Sequence, residues 1–148
     1  MGRVPGIKSG EDAEVTEDAL LALLRALRDR VAGITDTALA SRDGLIITSD
    51  TTDIDPDNLA ALAAASLGIA QRMSAEAGQG TLREATTRSG GGIVAVYAVG
   101  TSALLAVVGD VGLDIVRLHR ESRPTVEAIE VLLKRGQSGI GGAGTAAS

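Results

Sequence analysis

The sequence contains no cysteine, no tryptophan, no phenylalanine and a single tyrosine, Tyr97. Without cysteine the chain forms neither disulfide bonds nor thiolate metal sites. The scarcity of aromatic residues predicts an aliphatic core and leaves no aromatic platform on which nucleic-acid bases or sugars would stack. The one histidine, His119, would need partners brought to it by the fold before it formed a metal site or a catalytic triad.

Positive charge is also limited, since 14 Lys and Arg residues face 19 Asp and Glu residues and the net charge is −5. Phosphate contact requires a clustered Lys/Arg face, and none is visible, so we expect no nucleic-acid partner. The N-terminal residues lack the apolar run of a signal peptide, and no segment approaches the length of a membrane span. These absences predict a cytoplasmic protein without membrane insertion.

The 148 residues suit one folded domain without internal repeats. Residues 1–14 are polar and interrupted by glycine, which predicts a flexible N-terminal segment. Residues 136–148 are rich in Gly, Ala and Ser and are predicted to form a disordered tail. The folded domain is therefore expected over residues 15–135.

Periodic apolar residues and turn signals predict the first half of that domain. An apolar stripe predicts a helix over about 16–32, ended by Gly33. Two apolar runs, at about 35–41 and 45–49, flank Asp43-Gly44, the dipeptide most typical of a tight β-hairpin turn. A second helix is predicted to begin with Asp55 as N-cap and Pro56 at its first position, and to end before Gly78.

Three strands and a last helix follow. The Thr-rich, polar stretch at about 81–88 fits the edge of a sheet, whereas 93–99 and 103–108 are apolar enough for central strands covered on both faces. The last helix, about 113–134, contains Pro124. It is either kinked there and nearly continuous, which we favour, or broken into a new segment capped by Ser122. The order helix-β-β-helix-β-β-β-helix predicts a three-layer α/β/α sandwich.

The second helix carries no charge from Leu59 to Ala70, which is unusual for a helix with a solvent face. A helical projection assigns one side to the sheet: Leu59, Leu62, Ala63, Ser66, Ala70 and Met73. The opposite side is predicted to contact a second helix or a partner, because its small residues permit close approach. It comprises Ala61, Ala64, Ala65, Gly68, Gln71, Arg72 and Ala75. The alternative is that alanine simply fills exposed positions as a strong helix former.

These elements resemble the Roadblock (dynein light chain) family, particularly its bacterial members. The resemblance rests on the hairpin sequence 39–45 (LASRDGL) and on residues 59–64 (LAALAA) at the start of the second helix. It also rests on Ala98-Val99-Gly100 before the apolar run 104–108, and on Gly112-Leu113 before the last helix. It covers about residues 17–135.

The resemblance implies a profilin-like sandwich with a five-stranded antiparallel sheet. It further implies homodimers in which the second helices pair and the third strands join two sheets into one. Arg83 and Ala85 of the third strand are therefore added to the predicted interface. Relatives bind or regulate small Ras-like GTPases, or act as adaptors on motor and signalling complexes. The family has no conserved catalytic set to carry over.

We therefore predict a non-enzymatic homodimeric signalling adaptor that binds a bacterial Ras-like small GTPase and modulates its nucleotide cycle or signalling. No catalytic, metal or cofactor residue is predicted, and no phosphate loop is present that would make this chain the GTPase itself. Four arginines are candidates for arginine fingers: Arg42, Arg72, Arg83 and Arg88. The alternative function is a ligand-sensing or scaffolding module without a GTPase partner, which would need a concave pocket with convergent polar groups.

Overall fold

The computed structural model describes the backbone of residues 10–147 and the side chains of residues 13–136. Its elements are α1 (Gly10–Arg30), β1 (Ile34–Ser41), β2 (Ile46–Asp50), α2 (Pro56–Glu76), β3 (Glu84–Ser89), β4 (Gly92–Val99), β5 (Ala103–Gly109) and α3 (Ile115–Ala147). The strands form one five-stranded sheet in the order β2-β1-β5-β4-β3. All neighbouring strands are antiparallel, so the predicted fold class is confirmed.

The β1–β2 hairpin turns at Gly44, as the sequence predicts. Gly44 has a φ of +88°, a left-handed conformation that glycine adopts without a Cβ penalty. A Cβ atom at this position would also lie 3.2 Å from the Cα of Ala61. The tip of the hairpin therefore rests directly on α2, and both its backbone angle and its close approach require glycine.

Both ends of α2 follow the predicted capping signals. The Asp55 side chain accepts a hydrogen bond from the backbone N–H of Asp57 at 3.0 Å, and Pro56 opens the helix, where its missing N–H costs nothing. Ala77 caps the C-terminus and Gly78 follows with a φ of +68°. A left-handed glycine at this point ends the helix.

The helices divide the core into two layers of different character. Helices α1 and α3 pack on one face of the sheet around large aliphatic side chains, among them Leu24, Leu27, Leu105, Leu118 and Ile129. Helix α2 covers the other face, where small side chains predominate. The buried residues there are Ala38, Ala40, Ala60, Ala63, Leu67, Val96, Leu104 and Ala106. This is the predicted three-layer sandwich.

The orientation of α2 differs from the helical projection. Leu62 and Met73, assigned to the sheet side, are 70% and 63% exposed. The buried positions of the helix are Ala60, Ala63, Leu67 and Ser74. Because alanines form much of the sheet face below, α2 can lie close to the strands, and its buried stripe consists mainly of small residues. The larger apolar residues consequently point outward.

Helix α3 runs through Pro124 without a break, which agrees with the continuity favoured from the sequence, while the kink stays a prediction. The side chain of Asp114 accepts hydrogen bonds from the N–H groups of Val116 and Arg117, at 3.0 and 3.2 Å, and so caps the N-terminus. Ser122 is fully buried inside this helix and does not start a new segment.

The two outer helices extend further than the sequence pattern indicates. Helix α1 begins at Gly10, ahead of the expected start near Thr16, and thus includes part of the segment predicted to be flexible. Helix α3 extends to Ala147, past its expected end near Lys134. Glycine weakens helices without excluding helical geometry, and no proline interrupts this stretch. Residues 1–9 and Ser148 lie outside the described residues, and the limits 1–14, 15–135 and 136–148 stay predictions.

Candidate functional site

The outward side of α2 forms an exposed apolar surface. Leu62, Ile69 and Met73 are 70%, 62% and 63% exposed, and they recur at helical spacing along one side. Gly68 lies among them, and a Cβ atom added there would have no heavy atom of the described residues within 4 Å. No charged residue occurs between Leu59 and Ala70. We call the exposed residues 61, 62, 65, 68, 69, 72 and 73 the outer α2 face.

The structure gives the predicted interface residues of this helix different surroundings. Ala61, Ala65, Gly68, Arg72 and Ala75 are exposed. Ala64 is half-buried and packs against the core below α2. Gln71 is also half-buried, and its Oε1 accepts a hydrogen bond from the backbone N–H of Leu82 at 3.0 Å. Gln71 therefore joins α2 to the segment before β3.

Sequence reasoning missed the large apolar residues of the outer α2 face. A helical projection orders residues around the axis, but it does not say which sector faces the sheet. The projection places Leu62 and Met73 on the sheet side, with Ile69 flanking it, whereas all three are exposed in the structure. Leu45, at the β1–β2 turn that rests on α2, is also 67% exposed. The packing of α2 on the alanine-rich strands buries Ala60, Ala63 and Leu67 and leaves these side chains outside.

Strand β3 lies at one edge of the sheet, as its polar sequence predicts. The N–H of Ala98 donates to the carbonyl of Arg83, its opposite residue, at 2.9 Å. Antiparallel pairs alternate between bonded and non-bonded positions, so Ala85 also bonds inward to Val96 of β4. The N–H and C=O groups of Glu84, Thr86 and Arg88 face the open edge. Any strand added to this edge would use these three residues and not Ala85.

The four candidate arginine fingers also differ in their surroundings. Arg42 is held on the β4–β5 turn, where Nε donates to the carbonyl of Ala103 and a terminal nitrogen to that of Gly100, each at 3.0 Å. Arg72, Arg83 and Arg88 are exposed. Among the described side chains none of these three has an ion pair within 4 Å.

A groove of about 430 Å³ opens between α3 and the start of β3. Its floor is formed by Tyr97 and Ala98 of β4, the strand on which α3 packs. Residues 82–84 form one wall, and His119, Arg123, Val126 and Glu127 of α3 form the other. No sequence pattern indicates this concavity, because the residues of its walls are far apart in the chain.

The only tyrosine and the only histidine meet at the floor of this groove. The Tyr97 hydroxyl and His119 Nδ1 lie 2.7 Å apart, and the two rings meet edge to face with centroids 5.6 Å apart. Burial raises the pKa of Tyr97 to about 12, partly opposed by the nearby Ser122 hydroxyl and reinforced by the charge of Glu84. At neutral pH the phenol is therefore protonated, and it donates to Nδ1 in the His119 tautomer that leaves this nitrogen without a proton. His119 is half-exposed.

The described part of the chain offers neither a metal cluster nor a membrane-spanning helix. Within the described side chains, no group of three or more His, Asp or Glu residues is arranged to hold a metal ion. No helix among the described residues combines the length and apolarity needed to cross a bilayer.

Comparisons of the sequence and of the structure with known proteins point to the same family. The family model for the Roadblock/LC7 domain matches residues 20–109. A Roadblock/LC7 domain from Streptomyces avermitilis has a similar crystal structure, with a TM-score of 0.72 and 25% identity over 76% of this chain and 96% of that one. A search of curated proteins found no match.

Other similar structures show the same fold at lower identity. A structure described as MglB with a tetrameric arrangement has a TM-score of 0.77 and 16% identity, and covers 92% of this chain and 99% of its own. The gliding protein MglB from Thermus thermophilus has a TM-score of 0.73 and 16% identity, with 91% and 99% covered. The family model spans more than half of the sequence, and the strand order and helix layers agree with it. The chain belongs to the Roadblock/LC7 domain family.

Proposed function

We propose that this protein is a homodimeric adaptor that binds a bacterial Ras-like small GTPase and modulates its nucleotide cycle or signalling without catalysing a reaction of its own. The observation that carries the proposal is the outer α2 face. Three large apolar side chains, each more than 60% exposed, stand on a helix surface without charge from Leu59 to Ala70. Exposed apolar residues grouped in this way are typical of protein–protein contacts.

The same face accounts for pairing between two copies of the chain. Ala65 and Gly68 are exposed and small, so a second helix backbone can approach closely between Leu62, Ile69 and Met73. A two-fold axis would place each side chain against the same patch of the partner. The open edge of β3 would then pair with its copy and remove an exposed row of backbone groups. The structure described as MglB with a tetrameric arrangement supports self-association as a property of related proteins.

Family membership supports the choice of a GTPase as partner, because relatives bind or regulate Ras-like GTPases. Arg72 is exposed at the end of the uncharged stretch of α2 and is free to contact an acidic switch region. Switch regions change structure between the GTP and GDP states, so a partner that contacts them favours one state. We expect the GTP-bound form to bind more tightly.

A second candidate, ligand sensing, is favoured by one observation. The groove above Tyr97 and His119 is concave and lined by several polar side chains, which is what a sensing module requires. The groove does not include the outer α2 face, but its wall residue Glu84 belongs to β3, the edge strand that is also part of the proposed dimer contact.

Titration calorimetry against each Ras-like GTPase of the same genome, loaded with GDP or with a non-hydrolysable GTP analogue, tests the proposal. Binding of at least one GTPase, tighter in the GTP-analogue state and weakened by Arg72→Glu, is the expected result. Arg25→Glu is the matched control, because Arg25 is exposed on α1, in the opposite helix layer. The chain alone should hydrolyse no nucleotide. Absence of heat with every GTPase, or equal losses in the two variants, would contradict the proposal.

A further inference from the structure

The groove between α3 and the start of β3 contains charges of both signs that are not paired with each other. Arg83 and Glu84 belong to one wall, and Arg123 and Glu127 to the other. The ion pairs among the described side chains join Arg28 to Asp50, Arg30 to Glu121 and Lys134 to Glu130, and none includes these four residues. Two arginines and two glutamates thus line a single concavity without an ion pair among the described side chains.

Uncharged groups complete the lining. Leu82, Ala98 and Val126 provide apolar surface. At the floor, the Tyr97 hydroxyl and Nδ1 of His119 are hydrogen-bonded at 2.7 Å, which fixes the positions of both polar groups. The groove thus combines an aliphatic part, fixed hydrogen-bonding groups and both kinds of charge. Ligand sites commonly have this composition: apolar walls with a few polar groups that fix orientation.

The charge pattern decides between ligand classes. A phosphate or nucleotide would meet Glu84 and Glu127, whose carboxylates repel it. A simple cation would meet Arg83 and Arg123 in the same way. A ligand with one carboxylate and one ammonium group satisfies both pairs, and guanidinium groups bind carboxylates with paired hydrogen bonds. The apolar residues add a preference for an aliphatic body.

We propose that this groove is a binding site for a small zwitterion with an aliphatic side chain, that is, a free α-amino acid or a dipeptide. Arg83 and Arg123 bind its carboxylate, and Glu84 and Glu127 bind its ammonium group. A volume of about 430 Å³ holds a ligand of this size. All lining residues come from one chain, so the site is complete without a partner copy or a GTPase, although Arg83 and Glu84 adjoin the β3 edge of the proposed dimer.

Tyr97 provides a direct readout of this site. It is the only tyrosine, and the chain has no tryptophan, so intrinsic fluorescence reports on the floor of the groove. The full-length protein is titrated with L-leucine and, separately, with glycyl-L-leucine. The two affinities show whether the site prefers a free amino acid or a dipeptide. Isocaproate lacks the ammonium group of leucine, and L-leucinamide lacks its carboxylate. We expect saturable binding of at least one zwitterion, and affinities about tenfold lower or worse for both analogues.

Variants of α3 locate the binding. Arg123→Gln and Glu127→Gln should each lower the affinity about tenfold, because each removes one charge-assisted hydrogen bond. Both residues are exposed, so neither change should affect folding. Arg120→Gln, an exposed position of the same helix outside the groove, is the matched control and should bind as the wild type does. No binding of either zwitterion at millimolar concentration, equal binding of the analogues, or equal affinity in all three variants would overturn the proposal.

Discussion

The hydroxyl of Tyr97 on β4 and Nδ1 of His119 on α3 are 2.7 Å apart, so the chain's single tyrosine and single histidine form one hydrogen-bonded pair. The pair joins the sheet to the helix layer at the floor of a groove. Tyr97 is 5% exposed, and its phenol is consequently costly to ionise. This relationship has a measurable consequence at high pH.

Tyr97 should ionise with a pKa near 12 in the folded protein, above its ordinary value of 10.0. A group whose pKa is raised on folding stabilises the fold below the unfolded pKa and loses that contribution as pH rises. The free energy of unfolding should therefore fall between about pH 10 and pH 12.

Phenolate absorbance, which here arises from one residue, checks the midpoint in native protein and in guanidinium chloride. Tyr97→Phe is the control, because it should lack this component of the pH dependence while other basic groups still titrate. Coincident midpoints in native and denatured protein would show that the phenol is not buried.

Replacing Thr37 with valine should stabilise the protein. Thr37 is fully buried in β1, and its Oγ1 has no hydrogen-bond partner among the described residues. Valine has the same branched shape without the unsatisfied hydroxyl, so we expect a gain of about 1 kcal/mol. Thermal unfolding measures the change.

Thr125→Val provides the matched control. Thr125 is also buried, but its Oγ1 accepts a hydrogen bond from Arg30 at 2.9 Å. This substitution should lower the melting temperature. A lower melting temperature for Thr37→Val as well would mean that its hydroxyl has a partner in solution.

Gly68→Glu should convert the proposed dimer into folded monomers. Space around Gly68 is open within one chain, and glutamate is a better helix former than glycine, so the monomer should remain folded. A charge at the centre of a helix pair would be buried without a partner. Sedimentation velocity at tens of micromolar protein measures the change.

Gly68 is a better position for this test than Ala64, which is half-buried against the core. Val131→Glu adds the same charge at a 49% exposed position of α3, and it should leave the oligomeric state unchanged. A wild-type protein that sediments as a monomer, or a Gly68→Glu variant that still dimerises, would exclude pairing through α2.

Proline substitutions at adjacent positions of β3 should affect different properties, one the dimer and the other the stability of the monomer. Thr86 directs its N–H to the open edge, so Thr86→Pro should weaken the dimer and leave the monomer's melting temperature nearly unchanged. Ala85 bonds inward to β4, so Ala85→Pro should lower the melting temperature of the monomer itself. If both variants dimerise as the wild type does, β3 is not part of the contact.

The features that the sequence predicts well are those encoded by neighbouring residues. Asp43-Gly44 specifies the hairpin, and Asp55-Pro56 specifies the beginning of α2, because each signal is complete within a few residues. The outward direction of Leu62 and Met73 depends on alanines in three other elements. The Tyr97–His119 pair and the bond from Leu82 to Gln71 likewise join distant segments. No local pattern reports such contacts.

The two edge strands of the sheet, β2 and β3, differ in how readily they could pair with another chain. This difference bears on the size of any assembly formed by strand pairing. The edge strand β2 has only five residues, and its register with β1 shifts between Leu39 and Ala40. Asp50 at its end forms an ion pair with Arg28. Short, irregular border strands resist pairing with further chains. If two copies join through β3, each outer border of the combined sheet is a β2 strand of this kind. In that arrangement, assembly by strand pairing would stop at two chains and would not propagate into a fibre.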